Sequence, residues 1–308
     1  MSTVVAAATE LPRARGRGGA GLWRAVRGNR KATVGALLLA VFTLLAVFPQ
    51  WFTSVRHPNA HAFDLSLPPS GEHWLGTTAF GQDIYAQLIW GTRESLVIAV
   101  VVGGLATVLS VLVGVSAAYL GGAADSVLSS VTDIFLVVPT FPLIIVIAAY
   151  AGKGSIAVII GVLVVTGWSY GARQLRAQAL SLRNRDFLES ARVRGERRSY
   201  IIVCEVLPTM TSLILATFLG SALYAVLTAA GLQFIGLGDN NGLSWGTMLH
   251  WAHSNSALHT GQALWVIMPG LCVALLGASF ALLNYAFDEI SNPALRPVRR
   301  HRAQRTRS

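Results

Sequence analysis

Long apolar blocks alternate with short polar segments along this chain, and the length of the blocks is the informative feature. Six blocks of about bilayer length occur, at residues 31–52, 95–120, 127–151, 156–172, 211–235 and 263–287. A helix needs roughly 20 consecutive apolar residues to cross the hydrocarbon core of a membrane. The pattern therefore predicts six transmembrane helices in an all-α, polytopic membrane protein.

The segments outside the spans complete the predicted organisation. Residues 1–30 and 288–308 are Arg-rich tails. Residues 53–94 are polar, and we expect them to form an extracytoplasmic segment with a short interfacial helix over Asp83–Trp90. The remaining core, residues 95–287, holds five helices.

Two features refine the spans themselves. A cleaved signal peptide is the competing interpretation of the first block, but the block is long for one and lacks a small-residue cleavage site after it. We therefore predict an uncleaved first span. Pro139 and Pro142 are expected to kink the third span, because proline interrupts the backbone hydrogen bonds of a helix.

The 24 Lys and Arg residues are distributed unevenly over the polar segments. If the N-terminus is cytoplasmic, 21 of them fall in cytoplasmic segments, and only Arg56, Arg93 and Lys153 fall outside. Cytoplasmic loops of membrane proteins carry such an excess of positive charge. We therefore expect both termini and residues 173–208 to be cytoplasmic. The same division accounts for the net charge of +10, so nucleic acid is not an expected partner.

Tryptophans recur near the predicted outer ends of the spans. Such positions favour an interfacial aromatic belt, and its expected members are Trp51, Trp74, Trp90, Trp245, Trp251 and Trp265.

The polar loop, residues 173–208, contains a signal for the start of a helix. Asp186 and Glu189 have the spacing of a capping box, in which each side chain accepts a hydrogen bond from the other residue's backbone N–H. This spacing predicts a short helix that begins at Asp186. It should end near Gly195, since glycine readily adopts the left-handed conformation that follows a helix.

The apolar face of this predicted helix is small, and it consists of Phe187, Leu188 and Ala191. We expect that face to require a groove on another protein. A second helical piece over residues 197–206 should end before Leu207, and Pro208 should begin the next span.

The polar loop resembles the EAA loop of bacterial ABC importer permeases, commonly written E-A-A-x3-G-x9-I-x-L-P. Five positions match that pattern: Glu189, Ala191, Gly195, Leu207 and Pro208. The departures are Ser190 for the second alanine, Glu205 for an apolar residue, and the charged run Glu196-Arg197-Arg198. They put the detailed docking contacts, rather than the coupling role, in question.

The resemblance covers about residues 30–296 and is closest to the dipeptide, oligopeptide and nickel branch of these permeases. Further matching motifs are His73-Trp-Leu-Gly-Thr77, Gly81-Gln-Asp83, Gly91-Thr-Arg-Glu-Ser-Leu96, Phe234-Ile-Gly-Leu-Gly238 and Ser244-Trp-Gly-Thr-Met248. The chain looks most like the second permease of the pair, the one with the shorter outer domain.

The resemblance implies a type I ABC importer permease fold in a bacterial inner (plasma) membrane. The chain would form half of a translocation path, for peptides or similar small solutes, with a homologous permease subunit. Two ATP-binding subunits would bind ATP and Mg and dock on the polar loop, with no cofactor, metal or catalytic site in this chain. An extracytoplasmic substrate-binding protein would deliver the substrate, and membrane lipid is the remaining expected partner.

On the same grounds, we expect the ATPase-coupling residues to be Asp186, Phe187, Leu188, Glu189, Ala191, Gly195, Leu207 and Pro208. Three charged residues are candidates for the translocation path or its outer mouth. Asp133 lies within the third span, where an ionisable group is costly and often functional. A carboxylate that faces a neighbouring span or the polar loop is its favoured interpretation, and a proton relay is the alternative. Arg93 and Glu94 lie just before the second span.

Other patterns in the sequence have simpler structural explanations. Residues 167–171 match the Gly-x-Ser-x-Gly nucleophile elbow of hydrolases, centred on Ser169, but that elbow requires a preceding strand. Close helix packing is the favoured explanation. Residues 152–155 lack P-loop spacing. The outer-loop residues His250, His253 and His259 are interpreted as structural or solvated rather than as a metal site.

The sequence leaves the substrate open. Peptides follow from the resemblance, while oligosaccharide and nickel import are alternatives within the same family. An ion-coupled secondary transporter is a more distant alternative.

Overall fold

The computed structural model describes residues 29–150, 155–239 and 242–291, with side chains through Phe287. The tails predicted at residues 1–30 and 288–308 lie almost wholly outside these ranges. Within them the chain is helical and contains no β-strand. A single antiparallel bridge joins Thr77 to Asp83.

The helices in the described ranges are numbered in chain order. They are α1 (Arg30–Val47), α2 (Ile84–Leu120), α3 (Gly122–Val137), α4 (Thr140–Tyr150), α5 (Ile156–Gly167), α6 (Ser169–Leu182), α7 (Asp186–Val193), α8 (Arg198–Tyr200), α9 (Leu207–Thr209), α10 (Thr211–Phe234), α11 (Trp245–Ser254) and α12 (Ala263–Ser291). A 3₁₀ turn at Pro49–Trp51 and a π-helix at Ile201–Val206 complete them.

Five stretches of helix are long and apolar enough to cross a membrane: α1, α2, α5 continued by α6, α10 and α12. The pair α3 and α4 makes a sixth when it is counted as one bent span. The number of spans agrees with the six predicted from the apolar blocks. The fourth span differs at its end, because the helix continues through α6 to Leu182 rather than stopping at Ala172.

The second span also differs from its prediction. The expected interfacial helix at Asp83–Trp90 is not a separate element but the first two turns of the 37-residue helix α2. The Asp83 side chain caps α2 by accepting from the backbone N–H of Ala86 at 2.7 Å. The intervening Gly-Thr-Arg-Glu run contains no proline, and its exposed Arg93 projects outward, so nothing interrupts the helix.

The third span breaks sharply where kinking was predicted. Helices α3 and α4 meet at 88°. Val138, at the break, is extended with ψ 129°, as expected for a residue that precedes proline. Pro139 offers no backbone N–H to continue the hydrogen bonds of α3. The local sequence therefore explains where the span breaks, but it does not explain the angle between the two helices.

Helix α2 lies at the centre of the bundle, with its most extensive contacts to α6 and α10. Two glycines permit these close crossings. A Cβ at Gly103 would lie 3.1 Å from the Cβ of Ala222 on α10, and one at Gly114 would collide with the carbonyl oxygen of Ala172 on α6. Small residues at helix crossings allow backbones to approach, as is common in membranes.

Two tryptophans assigned to the interfacial belt belong to the core instead. Trp245 is fully buried, packs edge-on against Phe42 at 5.3 Å and donates from Nε1 to the carbonyl of Leu88 at 3.0 Å. Trp265 is buried in the same cluster. Trp51 and Trp74 are exposed, as a position at an interface requires.

Candidate functional site

The short helix predicted in the polar loop exists as α7, but its start differs from the prediction. The N-cap is Arg185, and no side chain caps the helix. The predicted capping box between Asp186 and Glu189 is therefore wrong. Both acidic residues lie inside the first turn, where their charges interact favourably with the helix dipole. Asp186 already has helical backbone geometry there, so its side chain is not placed to accept from Glu189.

The end of α7 agrees with the prediction. Gly195 has φ +77°, its N–H donates to the carbonyl of Arg192, and the N–H of Glu196 donates to the carbonyl of Ala191. This pair of hydrogen bonds is a Schellman motif. It fixes the direction in which the chain leaves α7.

The apolar face of α7 is divided between two environments. Leu188 and Ala191 are fully buried against this chain's own helices, in a cluster that includes Tyr119 of α2 and Leu175 of α6. The expectation that they would fill a partner's groove is therefore not met. Phe187, by contrast, is 39% exposed and Val193 is 84% exposed. These two side chains, on the exposed face, are the apolar contacts that α7 offers.

Arg192 ties α7 to the end of α2. Its Nη2 donates to the carbonyl of Arg183 at 2.9 Å, and its guanidinium lies 5.7 Å from the centroid of the Tyr119 ring, within cation–π range. Together with the burial of Leu188, these contacts hold α7 against the bundle rather than leaving it free.

The second helical piece is irregular. It consists of α8, the π-helix and α9, and Pro208 lies in α9 rather than at the start of the long span, which begins at Thr211. Pro208 supplies no N–H to the turn before it, and a wide π turn precedes it. Glu205, where the sequence departs from the family pattern, lies 3.9 Å from the Arg194 guanidinium. This departure therefore contacts the C-terminal end of α7.

Asp133 is paired rather than isolated. It accepts from Nη2 of Arg173 at 2.8 Å, and both side chains are more than half exposed. They border a small cleft that also contains Arg176. The arrangement is that of an ion pair at the end of the bundle near the polar loop.

Glu94 and Arg93 point in different directions. Arg93 is exposed. Glu94 accepts from Nε2 of Gln233 at 3.3 Å, and Oε1 of Gln233 accepts from the Ser244 hydroxyl at 2.8 Å. This chain of hydrogen bonds links α2, α10 and α11 at the end opposite the polar loop. Glu94 is therefore the one of the two that joins neighbouring helices.

The motif around His73 and Asp83 has a structural use. Nδ1 of His73 lies 2.7 Å from Oδ2 of Asp83, and both side chains are almost buried. The Thr77 hydroxyl donates to the carbonyl of Asp64 and accepts from the N–H of Leu67. These bonds fold residues 64–83 into a compact cap at the start of α2.

Two of the three histidines considered for a metal site, His250 and His253, make contacts within this chain, and His259 is exposed. Nδ1 of His250 lies 2.9 Å from the carbonyl oxygen of Phe234, and the His253 ring packs on the Phe234 ring at 5.4 Å. In the described part of the chain, no group of three or more His, Cys, Asp or Glu residues could hold a metal ion.

Ser169 is the first residue of α6 and follows Trp168, a residue with right-handed helical geometry at the junction of α5 and α6. A Cβ at the following Gly171 would lie 2.6 Å from the Thr217 methyl group and 2.7 Å from the Ser110 hydroxyl. The glycine motif thus permits tight helix packing, as expected.

A cavity of about 410 Å³ adjoins this junction of α5 and α6. Polar side chains line much of it: Thr140, Thr166, Ser169, Gln174, Thr217, Ser221, Tyr224 and Asn284. The candidates named from sequence, Asp133, Arg93 and Glu94, are not among its lining residues. Part of this polar lining could have been recognised from the sequence, because Thr217, Ser221 and Tyr224 follow the i, i+4, i+7 spacing of one helix face within an apolar span.

Comparison with known proteins identifies the class to which this bundle and loop belong. Residues 110–290 match the family described as binding-protein-dependent transport system inner membrane component. The chain belongs to that family and is a multi-pass bacterial membrane protein, a permease subunit of an ABC importer.

Similar curated proteins carry peptide-transport names. The chain is 30% identical over 277 residues to the dipeptide transport system permease protein DppC of Alkalihalophilus pseudofirmus, covering 89% of each chain. It is 31% identical over 272 residues to the oligopeptide transport system permease protein OppC of Mycobacterium tuberculosis, covering 87% of this chain and 91% of that protein. It is 30% identical over 223 residues to OppC of Bacillus subtilis, covering 72% and 73%.

Proposed function

We propose that this permease carries peptides and is driven by separate ATPase subunits that dock on α7. The observation that supports this proposal is the way α7 packs against the bundle. Its inner residues, Leu188 and Ala191, are locked into the bundle, while Phe187 and Val193 face outward. A short helix held on one side and apolar on the other suits insertion into a groove of a partner.

The contacts of α7 offer a physical route for coupling. A partner that moves α7 also pushes on the cluster containing Leu188, Tyr119 and Leu175. Those contacts reach α2, which runs unbroken from Leu120 back to Ile84, and α6. A packed interface of this kind transmits rigid-body motion rather than absorbing it. Movement of α7 is therefore expected to rotate the helices around the cavity.

The complete machine in this proposal contains the partners expected from sequence. A homologous permease supplies the other half of the path, two ATP-binding subunits hold ATP and Mg, and an extracytoplasmic binding protein delivers substrate. The charge distribution supports a cytoplasmic polar loop. Peptide is the proposed substrate class because the similar proteins are named as dipeptide and oligopeptide permeases.

Co-purification tests the docking assignment. The chain is expressed with its genomic neighbours, and the ATPase retained on the tagged permease is quantified for Val193→Asp and for Leu258→Asp. Both positions are exposed aliphatics, but Leu258 lies at the end of the bundle away from the polar loop. We expect Val193→Asp to release the ATPase and Leu258→Asp to retain it. Full retention by Val193→Asp would contradict docking on α7.

Uptake tests the substrate class. Proteoliposomes containing the intact complex are supplied with the binding protein and with labelled tri-alanine, maltotriose or Ni²⁺. ATP-dependent accumulation of tri-alanine alone is the expected result. Accumulation of only the sugar or the metal would keep the permease assignment and overturn the peptide assignment.

A further inference from the structure

A sharply bent span and a locally irregular span meet at the same cavity. Phe135, Leu136 and Thr140 approach it from the break between α3 and α4, and Gly167 and Ser169 lie on either side of Trp168, where α5 continues into α6. Trp168 keeps right-handed helical geometry and is the thirteenth residue of the 27-residue span Ile156–Leu182. The irregularity therefore lies near mid-span.

A broken helix near the middle of a membrane requires an explanation, because unpaired backbone groups are costly in hydrocarbon. Irregular backbone is tolerated there where it is buried in protein or lines a polar cavity, and transporters build substrate sites from such discontinuous helices. At the junction of α5 and α6, the carbonyl of Trp168 accepts from the N–H of Ala172 at 3.0 Å and from the Ser110 hydroxyl at 2.6 Å. The Ser110 hydroxyl, which also lies 2.7 Å from the Ala106 carbonyl, therefore links α2 to this junction.

The third wall of the cavity is the polar face of α10. Thr217, Ser221 and Tyr224 lie along it. The Thr217 hydroxyl donates to the carbonyl of Leu213 at 2.9 Å, and the Tyr224 hydroxyl lies 3.2 Å from that of Thr166. Since a hydroxyl has one donor and two acceptor lone pairs, Thr217 retains acceptor capacity toward the cavity.

Asn284 of α12 completes the lining and carries an unmet hydrogen-bonding group. Its Oδ1 is buried and has no partner among the described residues. Buried polar atoms are nearly always paired, so such an exception calls for a specific explanation. The location of Asn284 favours the explanation that a bound molecule supplies the missing hydrogen-bond donor.

None of the described residues that line the cavity is charged. An ionic group held here would be without an opposite charge, which is costly in a low-dielectric site. The cavity instead offers neutral donors and acceptors with aromatic and aliphatic surface, and its volume is within the range of about 300–1,000 Å³ typical of small-ligand pockets. Between its charged ends, a peptide backbone presents the matching set of uncharged N–H and C=O groups.

We propose that this cavity is a binding station on the translocation path that holds the backbone amides of a peptide in transit, with Thr217, Ser221, Tyr224 and Asn284 as its hydrogen-bonding wall. The proposal rests on the proposed function, since it assumes that peptides are the cargo. It differs from the sequence-based choice of charged path residues, because it assigns contact with substrate to neutral side chains.

Cysteine protection tests the station directly. In the intact complex, Cys204→Ser and Cys272→Ala remove both native cysteines, and Ser221→Cys introduces one in the wall. Methyl methanethiosulfonate should modify this cysteine, and tri-alanine at about ten times its Kd should slow the modification about tenfold by mass action. A matched chain carries Cys272→Ala alone, so that the exposed Cys204 reports non-specific effects and should show no protection.

Transport provides the second measurement. Thr217→Val and Asn284→Leu each remove hydrogen-bonding groups with little change in size, and each should lower tri-alanine uptake about fivefold, the equivalent of one net hydrogen bond of about 1 kcal/mol. Thr107→Val removes a buried hydroxyl of α2 that bonds to Gly103 outside the cavity, and uptake should be retained. The amount of co-purified ATPase is measured in every variant to exclude loss of assembly.

The two proposals fail in distinguishable ways. Protection of Ser221→Cys by maltotriose but not by tri-alanine would overturn the peptide class. Absence of protection by tri-alanine, with normal uptake by Thr217→Val and Asn284→Leu, would overturn the station while leaving the importer intact. Loss of ATPase docking in Val193→Asp with unchanged protection supports both a separate coupling surface and the station.

Discussion

Arg176 of α6 forms a bidentate ion pair with Asp125 of α3. Its Nε donates to Oδ1 at 2.7 Å and its Nη2 donates to Oδ2 at 2.8 Å. Arg173, one turn earlier on α6, pairs with Asp133, further along α3. Two arginines of the polar loop therefore fasten α3, the first half of the bent third span, to α6.

Because the ion pair between Arg176 and Asp125 is bidentate and only partly exposed, its contribution to stability should depend on its geometry more than on its charge. Arg176→Lys keeps the charge and loses the planar fork. We expect the substitution to lower the free energy of unfolding by about 1 kcal/mol. Thermal unfolding in detergent measures the loss, and Arg176→Lys should cost nothing further once Asp125→Asn is present. Equal stability of Arg176→Lys and the unsubstituted chain would show that the fork is immaterial.

Adjacent residues of α7 should separate folding from docking. Leu188 is fully buried, so Leu188→Ala leaves a cavity and should cost about 2–5 kcal/mol of stability. Phe187→Ala removes a partly exposed ring and should leave the unfolding temperature nearly unchanged while reducing the ATPase that co-purifies. Thermal unfolding and co-purification of the two variants check this division. The reverse pattern would mean that the outward face of α7 has been misassigned.

Gly195 offers a second test of the polar loop. It has φ +77°, and a Cβ there would meet nothing within 4 Å, so Gly195→Ala should cost about 1 kcal/mol from backbone strain alone. Gly261 is a matched control, since its φ is +81° with equally open surroundings. Both alanine variants should lose similar stability. Only Gly195→Ala should weaken ATPase binding, and an equal effect of Gly261→Ala on binding would argue for general destabilisation.

The close crossing of α2 and α6 can be tested with two glycines of α2. A Cβ at Gly114 collides with the carbonyl of Ala172, so Gly114→Ala should lower stability by about 1–3 kcal/mol through overpacking. Gly104 has open space around it, and Gly104→Ala should be neutral or slightly stabilising because alanine favours helix. Thermal unfolding of both variants gives the comparison, and indifference to Gly114→Ala would disprove the tight contact.

The sequence by itself determined the class of fold. Bilayer-length apolar blocks specify membrane helices because hydrocarbon leaves the backbone few alternatives. Pro139 predicted the break in the third span because proline restricts the backbone. Gly195 predicted the end of α7 because glycine readily adopts a left-handed conformation. The loop motif, together with these spans, identified the family.

Only the tertiary structure decided which way side chains face. Phe187 and Leu188 are both apolar neighbours on one short helix, and nothing local distinguishes the buried one from the exposed one. The capping box failed for a related reason, since the chain enters α7 at Arg185 and places Asp186 already inside the helix.

The cavity depends most on tertiary structure. Its wall combines residues from α10 with Asn284 and Ser169, which are distant in the chain. Periodicity indicates a polar face on one helix, but the meeting of several such faces depends on how the helices cross. Those crossings are set by close contacts such as Gly114 against Ala172, which exist only in the packed bundle.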